Sequence, residues 1–362
     1  MQIGLDAKRA FYNNTGLGNY GRGLIHSLSD YQPDIDLHFY APKRKDIIEE
    51  SILNLGKTHY LKGPLKNFNR FFNLSTKIKK QKLDIYHGLS NELPLKISKA
   101  GVKSVVTIHD IIFLKLPQYY KPVDRKIYYY KTLYAVQNAD LIITTSKQTL
   151  NDLENEFGCG NKCITIYQHL HAHSLPTLNQ DQALKNMGEY FIYVSSFEKR
   201  KNHLTLIKAF SEISNQTDKK LVLVGRKKET FEKCQLLIKE LNLENRIITY
   251  ADATQSLLNT LLANAAAFIY PSLYEGFGIP LLEAMSKGLP IACAKIPVFE
   301  EIAQKSAIYF DPLSVNELKK ALILIENKSE TEKFKKFINE ILPEFSAQKH
   351  ALSLANAYQS VF

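Results

Sequence analysis

The sequence predicts an α/β protein built from two doubly wound domains facing a cleft, each with a parallel sheet covered by helices. Short apolar runs alternate with amphipathic helical stretches through both halves of the chain. A polar, irregular segment separates the halves. At 362 residues, 45% of them hydrophobic, the chain is long enough for two domains of ordinary size. We therefore expect a first domain over 1–176, a linker over 177–186 and a second domain over 187–346.

Apolar runs predict five strands in the first half, at 2–6, 36–40, 84–87, 104–108 and 141–144. A loop through Lys8, Arg9 and Asn13 is predicted after the first strand. The tyrosine-rich stretch 119–134 has helical spacing. Packing is the default explanation for those tyrosines, and recognition of a sugar is the alternative.

The glycine-rich stretch 15–21 leads into a helix and formally matches a dinucleotide fingerprint through Gly16, Gly18 and Gly21. That fingerprint should directly follow a strand, yet nine residues separate Asp6 from Gly16. A glycine loop that lets a sugar or phosphate approach the backbone is the better interpretation. Gly16 and Gly18 are therefore candidate ligand-binding residues.

His109 and Asp110 come directly after the strand predicted at 104–108. In open α/β sheets, ligands bind beyond the carboxyl ends of the strands. The pair is therefore a candidate functional site. The alternative is a histidine that is simply hydrogen-bonded in the core.

The segment 62–82 contains seven basic residues, no acidic residue and three phenylalanines. A solvated basic helix is one interpretation. A second is a surface that rests on anionic lipid, with the aromatic rings at the interface. Single-stranded RNA binding ranks last, because no RNA-binding motif lies nearby. The net charge of +11 favours an anionic partner but does not choose among these.

Composition favours a cytoplasmic protein. No run of 18 apolar residues could span a membrane, and the first residues resemble a strand rather than a signal peptide. The four cysteines form no CxxC pair, so reduced thiols and no metal site are expected.

In the second half, strands are predicted at 190–194, 221–224, 246–250 and 265–270. The last one leads into the most informative stretch of the chain, YPSLYEGFGIPLLEAMSKG over 270–288. Gly276 and Gly278 allow a turn, Pro280 suits the start of a helix, and Gly288 suits its end. A glycine loop before a helix N-terminus favours a phosphate.

Charged residues complete a candidate site around this turn. Arg200 and Lys201 follow the strand at 190–194, and cations of this kind bind a diphosphate. Glu283 is suited to the two hydroxyls of a ribose, and Glu275 to the hydroxyls of a second sugar. Together these residues predict a site for a nucleotide-diphospho-sugar.

With these motifs the chain resembles the family 4 retaining glycosyltransferases of GT-B fold, over almost its full length. The most specific match is the Glu-x7-Glu element with EGFG inside it, preceded by RKN at 200–202. Other matching segments are 3–6, 15–18, 107–110, 139–146, 198–202 and 311–312. The RKN branch includes many mannosyltransferases of bacterial polysaccharide assembly.

The resemblance implies a hexosyltransferase that retains anomeric configuration and needs neither a metal nor another cofactor. Arg200 and Lys201 would hold the diphosphate, Glu275 the donor sugar and Glu283 the ribose, while His109 would lie beside the reacting sugar. The remaining candidate donor-binding residues are Gly16, Gly18, Asp110, Ser196, Arg226, Gly276, Phe277, Gly278 and Ile279. The family's last helix crosses back to the first domain, which would assign 347–362 there.

The chain departs from the family at 249–252, TYAD, which lacks a glycine often found where the base is bound. Because the RKN branch includes many mannosyltransferases, the resemblance makes GDP-mannose a first expectation for the donor, and a saccharide or lipid-linked saccharide is expected as the acceptor. The enzyme would then work in surface polysaccharide assembly, in the cytoplasm or peripherally on the inner face of the membrane, and would bind no nucleic acid. A non-catalytic nucleotide-sugar-binding protein is the alternative. A dinucleotide-dependent oxidoreductase or a glycosidase fits fewer of the motifs.

Overall fold

The computed structural model describes residues 1–61, 74–170 and 187–362. The chain forms two compact units, one comprising Met1–His171 with Phe345–Phe362 and the other Ala172–Glu344. The predicted linker 177–186 lies outside the described residues, as does the part of the basic segment at 62–73. Within the described ranges, no helix is long and apolar enough to cross a bilayer.

The first unit contains a parallel sheet in the order β3-β2-β1-β4-β5-β6-β7. Its strands are β1 (Gln2–Asp6), β2 (Asp36–Ala41), β3 (Lys57–Tyr60), β4 (Ile85–Gly88), β5 (Lys103–Ile108), β6 (Leu141–Thr144) and β7 (Cys163–Thr165). The order reverses between β1 and β4, so the carboxyl ends of these strands form the switch point where doubly wound sheets bind ligands. The edge strands β3 and β7 are short and partly exposed, and the apolar pattern of the sequence did not predict them.

The helices of the first unit before its C-terminal segment are α1 (Lys8–Tyr12), α2 (Gly16–Tyr31), α3 (Leu74–Lys80), α4 (Ile112–Lys115), α5 (Pro122–Asn138) and α6 (Lys147–Phe157). The loop predicted through Lys8, Arg9 and Asn13 was wrong for Lys8 and Arg9, which lie in helix α1, whereas Asn13 follows the helix in an extended conformation. Ala10 and Phe11 are buried there, and Phe11 packs edge-on against Phe39 of β2. Burial of this one short apolar face stabilises a helix whose sequence alone gives little signal.

The glycine loop predicted over 15–21 was also wrong. Helix α2 begins at Gly16, so Gly18 and Gly21 lie within its first turns. A Cβ added at Gly18 would lie 1.6 Å from the Asn13 carbonyl oxygen, and one at Gly21 would lie 3.0 Å from Cβ of Ala10. These two glycines therefore allow α1 and α2 to pack closely. In a dinucleotide fingerprint the glycines follow the strand directly. Here helix α1 lies between β1 and the glycines, so the structure does not form that motif.

The second unit contains a parallel sheet in the order β10-β9-β8-β11-β12-β13. Its strands are β8 (Tyr190–Val194), β9 (Lys220–Gly225), β10 (Ile247–Ala251), β11 (Ala267–Tyr270), β12 (Ile291–Ala294) and β13 (Ile308–Phe310). Its helices are α7 (His203–Ser211), α8 (Phe231–Glu240), α9 (Gln255–Ala263), α10 (Ile279–Ser286), α11 (Pro297–Ala303), α12 (Val315–Leu324) and α13 (Lys328–Ile341). Two parallel-sheet α/β domains were predicted, and this prediction is confirmed.

The C-terminal helix α14 (Ala347–Gln359) packs against α2 within the first unit. Leu354, Ala357 and Tyr358 join the core beneath β1. The Tyr358 hydroxyl lies 2.8 Å from Nδ1 of His87, and Nδ1 of His350 lies 3.0 Å from the Ser27 hydroxyl. Apolar burial and two buried polar contacts thus bind the end of the chain to its first domain.

Candidate functional site

The candidate site in the second unit is built around a buried carboxylate held by two cations. Lys201 lies in a short 3-10 helix, Lys199–Lys201, that follows β8, and its Nζ forms an ion pair with Oε1 of Glu275. Nη1 of Arg200 lies 3.4 Å from Oε2 of the same carboxylate. Glu275 and Lys201 are both buried. The first pair joins residues 74 apart in the sequence.

Charge and burial act in opposite directions on these groups. Burial raises the pKa of Glu275, but the attraction of Lys201 and Arg200 outweighs it and holds the pKa below its usual value. Burial lowers the pKa of Lys201, and the neighbouring Arg200 lowers it further against the attraction of Glu275. Glu275 is therefore ionised at neutral pH, and it offsets the repulsion between two adjacent cations.

Arg200 has further partners that fix its orientation. Its Nη2 lies 3.2 Å from Oε2 of Glu198, and its Nη1 lies 3.3 Å from the Tyr274 carbonyl oxygen. The Ser196 hydroxyl donates a hydrogen bond of 2.9 Å to Oε1 of Glu198. Glu198 thus connects the candidate Ser196 to Arg200, a role that the sequence did not single out.

Asn202 fixes the conformation and position of the turn that follows Arg200 and Lys201. It has a left-handed backbone with φ of 61°, and its Nδ2 donates to the carbonyl oxygens of Pro271 (3.1 Å) and Pro312 (2.7 Å). The Leu273 amide donates to the Arg200 carbonyl at 2.9 Å. These bonds hold the RKN turn against the loop that carries Glu275.

The glycine loop was predicted between β11 and a helix, and the structure contains it. The chain passes through Gly276 and Phe277, both buried, and reaches Gly278 with φ of 107°, which favours glycine. Helix α10 then begins at Ile279. Glu283 lies in the middle of this helix and is largely buried.

Arg226 and Ser196 lie at the same edge of the second sheet. The Arg226 carbonyl accepts a hydrogen bond of 3.0 Å from the Phe197 amide. A Cβ at Gly225 would lie 1.7 Å from the Ser195 carbonyl oxygen, so the chain segments after β8 and β9 are in close contact. The structure therefore brings Ser196, Arg200, Lys201, Arg226, the 275–279 loop and Glu283 to one region of the second unit.

His109 lies at the carboxyl end of β5 in the first unit and is buried. Its Nε2 donates to the Leu89 carbonyl at 2.9 Å, and the Tyr20 ring meets it edge-on with centroids 4.6 Å apart. Burial lowers the pKa of His109 to about 4, although the bond to Leu89 acts against this. The imidazole is therefore neutral at pH 7 and presents Nδ1 as its acceptor nitrogen.

Asn91 positions the backbone on both sides of His109, and the sequence carries no motif that would have found it. Its Oδ1 accepts from the His109 amide at 3.0 Å, and its Nδ2 donates to the Asp110 carbonyl at 2.9 Å. Oδ1 of Asp110 accepts from the Ile112 amide at 3.1 Å, at the start of α4. Asp110 thus has a local capping role.

Gly16 and Gly18, the other first-unit candidates, differ in their surroundings. The Gly18 amide donates to the Thr15 carbonyl at 2.9 Å, and its α-carbon faces Asn13. A Cβ at Gly16 would meet nothing within 4 Å. Gly16 therefore has space beside it at the N-terminus of α2, whereas the Asn13 backbone fills the space beside Gly18.

Among the described residues, no three His, Cys, Asp or Glu side chains converge as metal ligands would.

Two family models match this chain, one for each half. The model for glycosyltransferase family 4 matches residues 15–169, and the model for glycosyl transferases group 1 matches residues 176–341. O-antigen chain mannosyltransferase B of Escherichia coli is 31% identical over 244 residues, which cover 64% of this chain and 62% of that relative. The match thus spans less than two thirds of the relative's length.

Solved structures share the whole fold. Sucrose-phosphate synthase from Thermosynechococcus elongatus superposes with a TM-score of 0.81 at 19% identity, covering 100% of this chain and 99% of that one. HepE from Anabaena, in complex with UDP and glucose, superposes with a TM-score of 0.77 at 16% identity, covering 99% and 100%. Two parallel α/β domains with these neighbours define the class as a GT-B fold. The chain thus contains a glycosyltransferase family 4 domain followed by a glycosyl transferases group 1 domain.

Proposed function

We propose that the protein is a retaining glycosyltransferase that moves a hexose from a nucleotide-diphospho-sugar to a saccharide or lipid-linked saccharide acceptor. The observation that carries the proposal is the pairing of Lys201 and Arg200 with the buried Glu275, beside a glycine loop and the N-terminus of α10. Two fixed cations and a positive helix end are suited to a diphosphate.

The reaction would depend on charge held in position. A phosphate leaving group is a weak base, so it needs little help from a general acid. It needs positive charge as the glycosidic bond breaks, and Lys201, Arg200 and the first turn of α10 would supply it. Retention would follow from attack on the leaving group's side, with the departing phosphate accepting the proton of the acceptor hydroxyl.

The carboxylates would have separate roles. Glu283 would bind the ribose hydroxyls, and Glu275 would accept hydrogen bonds from hydroxyls of the donor sugar while it holds both cations. Ser196, Arg226 and the 276–279 amides would line the donor site. In the first unit, Gly16 and Asp110 would approach the donor, while Gly18 would act only through the packing of α2 against the Asn13 backbone. Neither glutamate would act as the nucleophile.

His109 would orient the reacting sugar rather than act as a general base. A pKa of about 4 makes it a poor base at neutral pH, and its bond to Leu89 leaves Nδ1 to accept from a sugar hydroxyl. The neutral ring could also stabilise a cation-like transition state from its face.

Mannose is the hexose we propose, with GDP as the carrier, because a relative is an O-antigen chain mannosyltransferase. HepE was solved with UDP and glucose, so a UDP-sugar is the donor to compare with GDP-mannose. We further propose that transfer needs no metal ion or other cofactor. The enzyme would serve surface polysaccharide assembly, working in the cytoplasm or peripherally on the inner face of the membrane.

Thermal-shift screening with GDP-, UDP- and dTDP-sugars tests the donor site. Stabilisation by one nucleotide sugar is expected, since a ligand that binds only the folded state raises the melting temperature. No stabilisation by any of them would contradict the proposal. A protein that binds a nucleotide sugar, but neither hydrolyses it nor transfers its sugar to any acceptor in a panel of polysaccharide precursors, would favour a non-catalytic binding function.

Product analysis tests the mechanism. NMR of the first-formed product should show the anomeric configuration of the donor, and transfer should continue at an unchanged rate in EDTA. An inverted product would contradict retention, and loss of activity in EDTA that Mg²⁺ restores would contradict metal independence.

A further inference from the structure

Two of the four cysteines lie side by side after helix α6 in the first unit. The helix is followed by Gly158, whose φ of 62° is left-handed, and then by Cys159. A 3-10 turn over Gly160–Lys162 leads from there into the edge strand β7, which begins at Cys163. This turn brings the two sulfur atoms within 3.4 Å of each other. A search for CxxC pairs does not find these cysteines, because their contact depends on how the turn folds.

The two sulfur atoms are close enough to bond after a small movement. A disulfide bond holds its sulfur atoms about 2.05 Å apart, so the two Sγ atoms would approach each other by about 1.4 Å to form it. Rotation of the two side chains and a small adjustment of the short turn can supply this movement. The other two cysteines, Cys234 on α8 and Cys293 on β12, are fully buried in the second unit.

The paired thiols differ in acidity and in exposure. Cys159 is buried, and its thiol donates to the Leu153 carbonyl oxygen 3.7 Å away, which leaves its lone pairs to accept from the Cys163 thiol. The hydrogen bond from Cys163 lowers the pKa of Cys159 against the opposing effect of burial. The same bond and burial raise the pKa of Cys163, which is only half-buried. Cys159 is therefore the sulfur that ionises first, and Cys163 is the sulfur that solvent reaches.

A disulfide accounts for this pair better than a metal ion does. A structural zinc ion takes four ligands from the protein. Among the described residues, no third His, Cys, Asp or Glu side chain joins Cys159 and Cys163. A disulfide needs only the two thiols, and in a reducing compartment such bonds usually form transiently.

We propose that Cys159 and Cys163 are a redox site that closes to a disulfide on reaction with hydrogen peroxide and reopens on reaction with a dithiol. The Cys159 thiolate would attack one peroxide oxygen and break the O–O bond. This leaves a sulfenic acid on Cys159, and the other oxygen departs as water after taking up a proton. The Cys163 sulfur would then attack Sγ of Cys159, form the S–S bond and release the sulfenic oxygen, which leaves as a second water with the Cys163 proton. Two electrons pass from the thiols to the peroxide.

The difference between the thiols also suits the reverse reaction. A dithiol would attack the more accessible Sγ of Cys163, and Cys159 would leave as the thiolate. A thiolate of lower pKa leaves faster. The second sulfur of the dithiol would then displace Cys163 and complete a disulfide in the reductant, which returns two electrons to the protein. This inference does not depend on the proposed glycosyl transfer.

Thiol counting and peptide mapping of the full chain test the inference. The denatured chain should react with maleimide at four thiols when reduced and at two after treatment of the folded protein with hydrogen peroxide, and dithiothreitol should restore four. Trypsin cleaves after Lys162, so the oxidised chain should yield the peptides of Cys159 and Cys163 joined until the bond is reduced. These two thiols should be lost at least about tenfold faster than those of Cys234 and Cys293, because oxidation follows thiolate character and exposure.

Matched variants separate the pair from a general sensitivity of the cysteines. Cys159→Ala and Cys163→Ala should each give no joined peptides under the conditions that close the bond in the parent. Cys234→Ala changes a buried cysteine of the second unit and should still give them. Unchanged circular dichroism and melting temperature would show that the variants fold, and the peptide map of the parent needs no variant.

Several results would overturn the inference. One is a parent that keeps four free thiols after peroxide treatment. Another is a sulfinic or sulfonic acid on Cys159 with Cys163 still free, or a bond from either residue to Cys234 or Cys293. The oxidised chain should also migrate as a monomer in non-reducing electrophoresis, and joined peptides that arise only from cross-linked dimers would contradict a bond within one chain.

Discussion

At the scale of single residues, the basic run Lys199–Lys201 after β8 contains two lysines in different surroundings, so one can serve as the control for the other. Lys199 and Lys201 are two positions apart in one 3-10 helix, but Lys199 is exposed while Lys201 is buried against Glu275. In the proposed mechanism, the buried lysine would stabilise the charge that develops on the diphosphate. The geometry of the pair, rather than the basic composition of the run, therefore distinguishes their roles.

We expect Lys201→Ala to lower kcat by about a hundredfold or more, because one contact that stabilises charge in the transition state would be lost. Lys199→Ala should keep kcat within about twofold, since surface charges of this kind contribute little. Steady-state kinetics with the donor found by the thermal-shift screen measures both. Near-normal turnover of Lys201→Ala would rule out the proposed role.

The burial of His109 leads to a prediction about how kcat/KM depends on pH. Its ring is buried and its pKa is lowered to about 4, so it stays neutral over the range where most assays are made. The kcat/KM profile of the parent should therefore show no ionisation near pH 6.5 that belongs to this residue. A step near pH 6.5 that disappears in His109→Gln would mean that the ring titrates during catalysis and acts as a base.

At the scale of elements, Gly16 and Gly18 in the first turn of α2 differ in how closely other atoms approach them. Gly18→Ala should destabilise the first unit by about 3 kcal/mol or more, because its Cβ would overlap the Asn13 carbonyl oxygen of the preceding segment. Gly16→Ala has space for the methyl group and should leave stability unchanged or slightly raised. Urea unfolding measures both variants. Equal stability of the two would contradict the close packing of α1 against α2.

The C-terminal helix α14 allows a similar comparison. Tyr358 is fully buried beside His87, so Tyr358→Ala should cost about 3–5 kcal/mol of unfolding free energy. Tyr358→Phe keeps the ring and loses only the hydroxyl contact, at about 1–2 kcal/mol. Leu352→Ala, at an exposed position of the same helix, is the control and should be close to neutral. A small effect of Tyr358→Ala would mean that α14 contributes little to the first unit.

At the scale of the whole molecule, buried histidines should make the fold sensitive to acid. Burial lowers the pKa of His87 and His203 to about 3, that of His109 to about 4, and that of His350 well below its ordinary value of 6.5. Below pH 6.5 the unfolded chain binds protons that the folded chain excludes. Stability should therefore fall as pH decreases from about 6.5 toward 4 and be fully retained above that range.

Each of these histidines should remove about 2 kcal/mol of unfolding free energy by about pH 5. Calorimetry between neutral pH and pH 5 measures the resulting fall in melting temperature. His350→Gln, compared with the parent, should reduce the pH dependence of the first unit's transition by one proton. A melting temperature that stays constant over this range would show that these rings are protonated in the folded state.

The sequence alone determined the parts of the structure that depend on neighbouring residues. Short apolar runs indicated the central strands of the first sheet and β8 to β11 of the second, but not β12 or β13. The order of Tyr270, two glycines and Pro280 indicated a strand, a loop and a helix. The RKN turn and the Glu-x7-Glu element were identifiable because each lies in one continuous stretch. In such stretches the backbone conformation is set largely by local residue type.

The tertiary structure decided what depends on distant contacts. Helix α1 forms because Phe11 is buried against β2, which its own five residues do not reveal. Gly18 permits two helices to touch rather than forming a ligand loop. The pairing of Lys201 with Glu275 joins residues 74 positions apart, so only the folded chain shows that one carboxylate holds both cations. Packing across such separations is a property of the assembled core, and no local pattern encodes it.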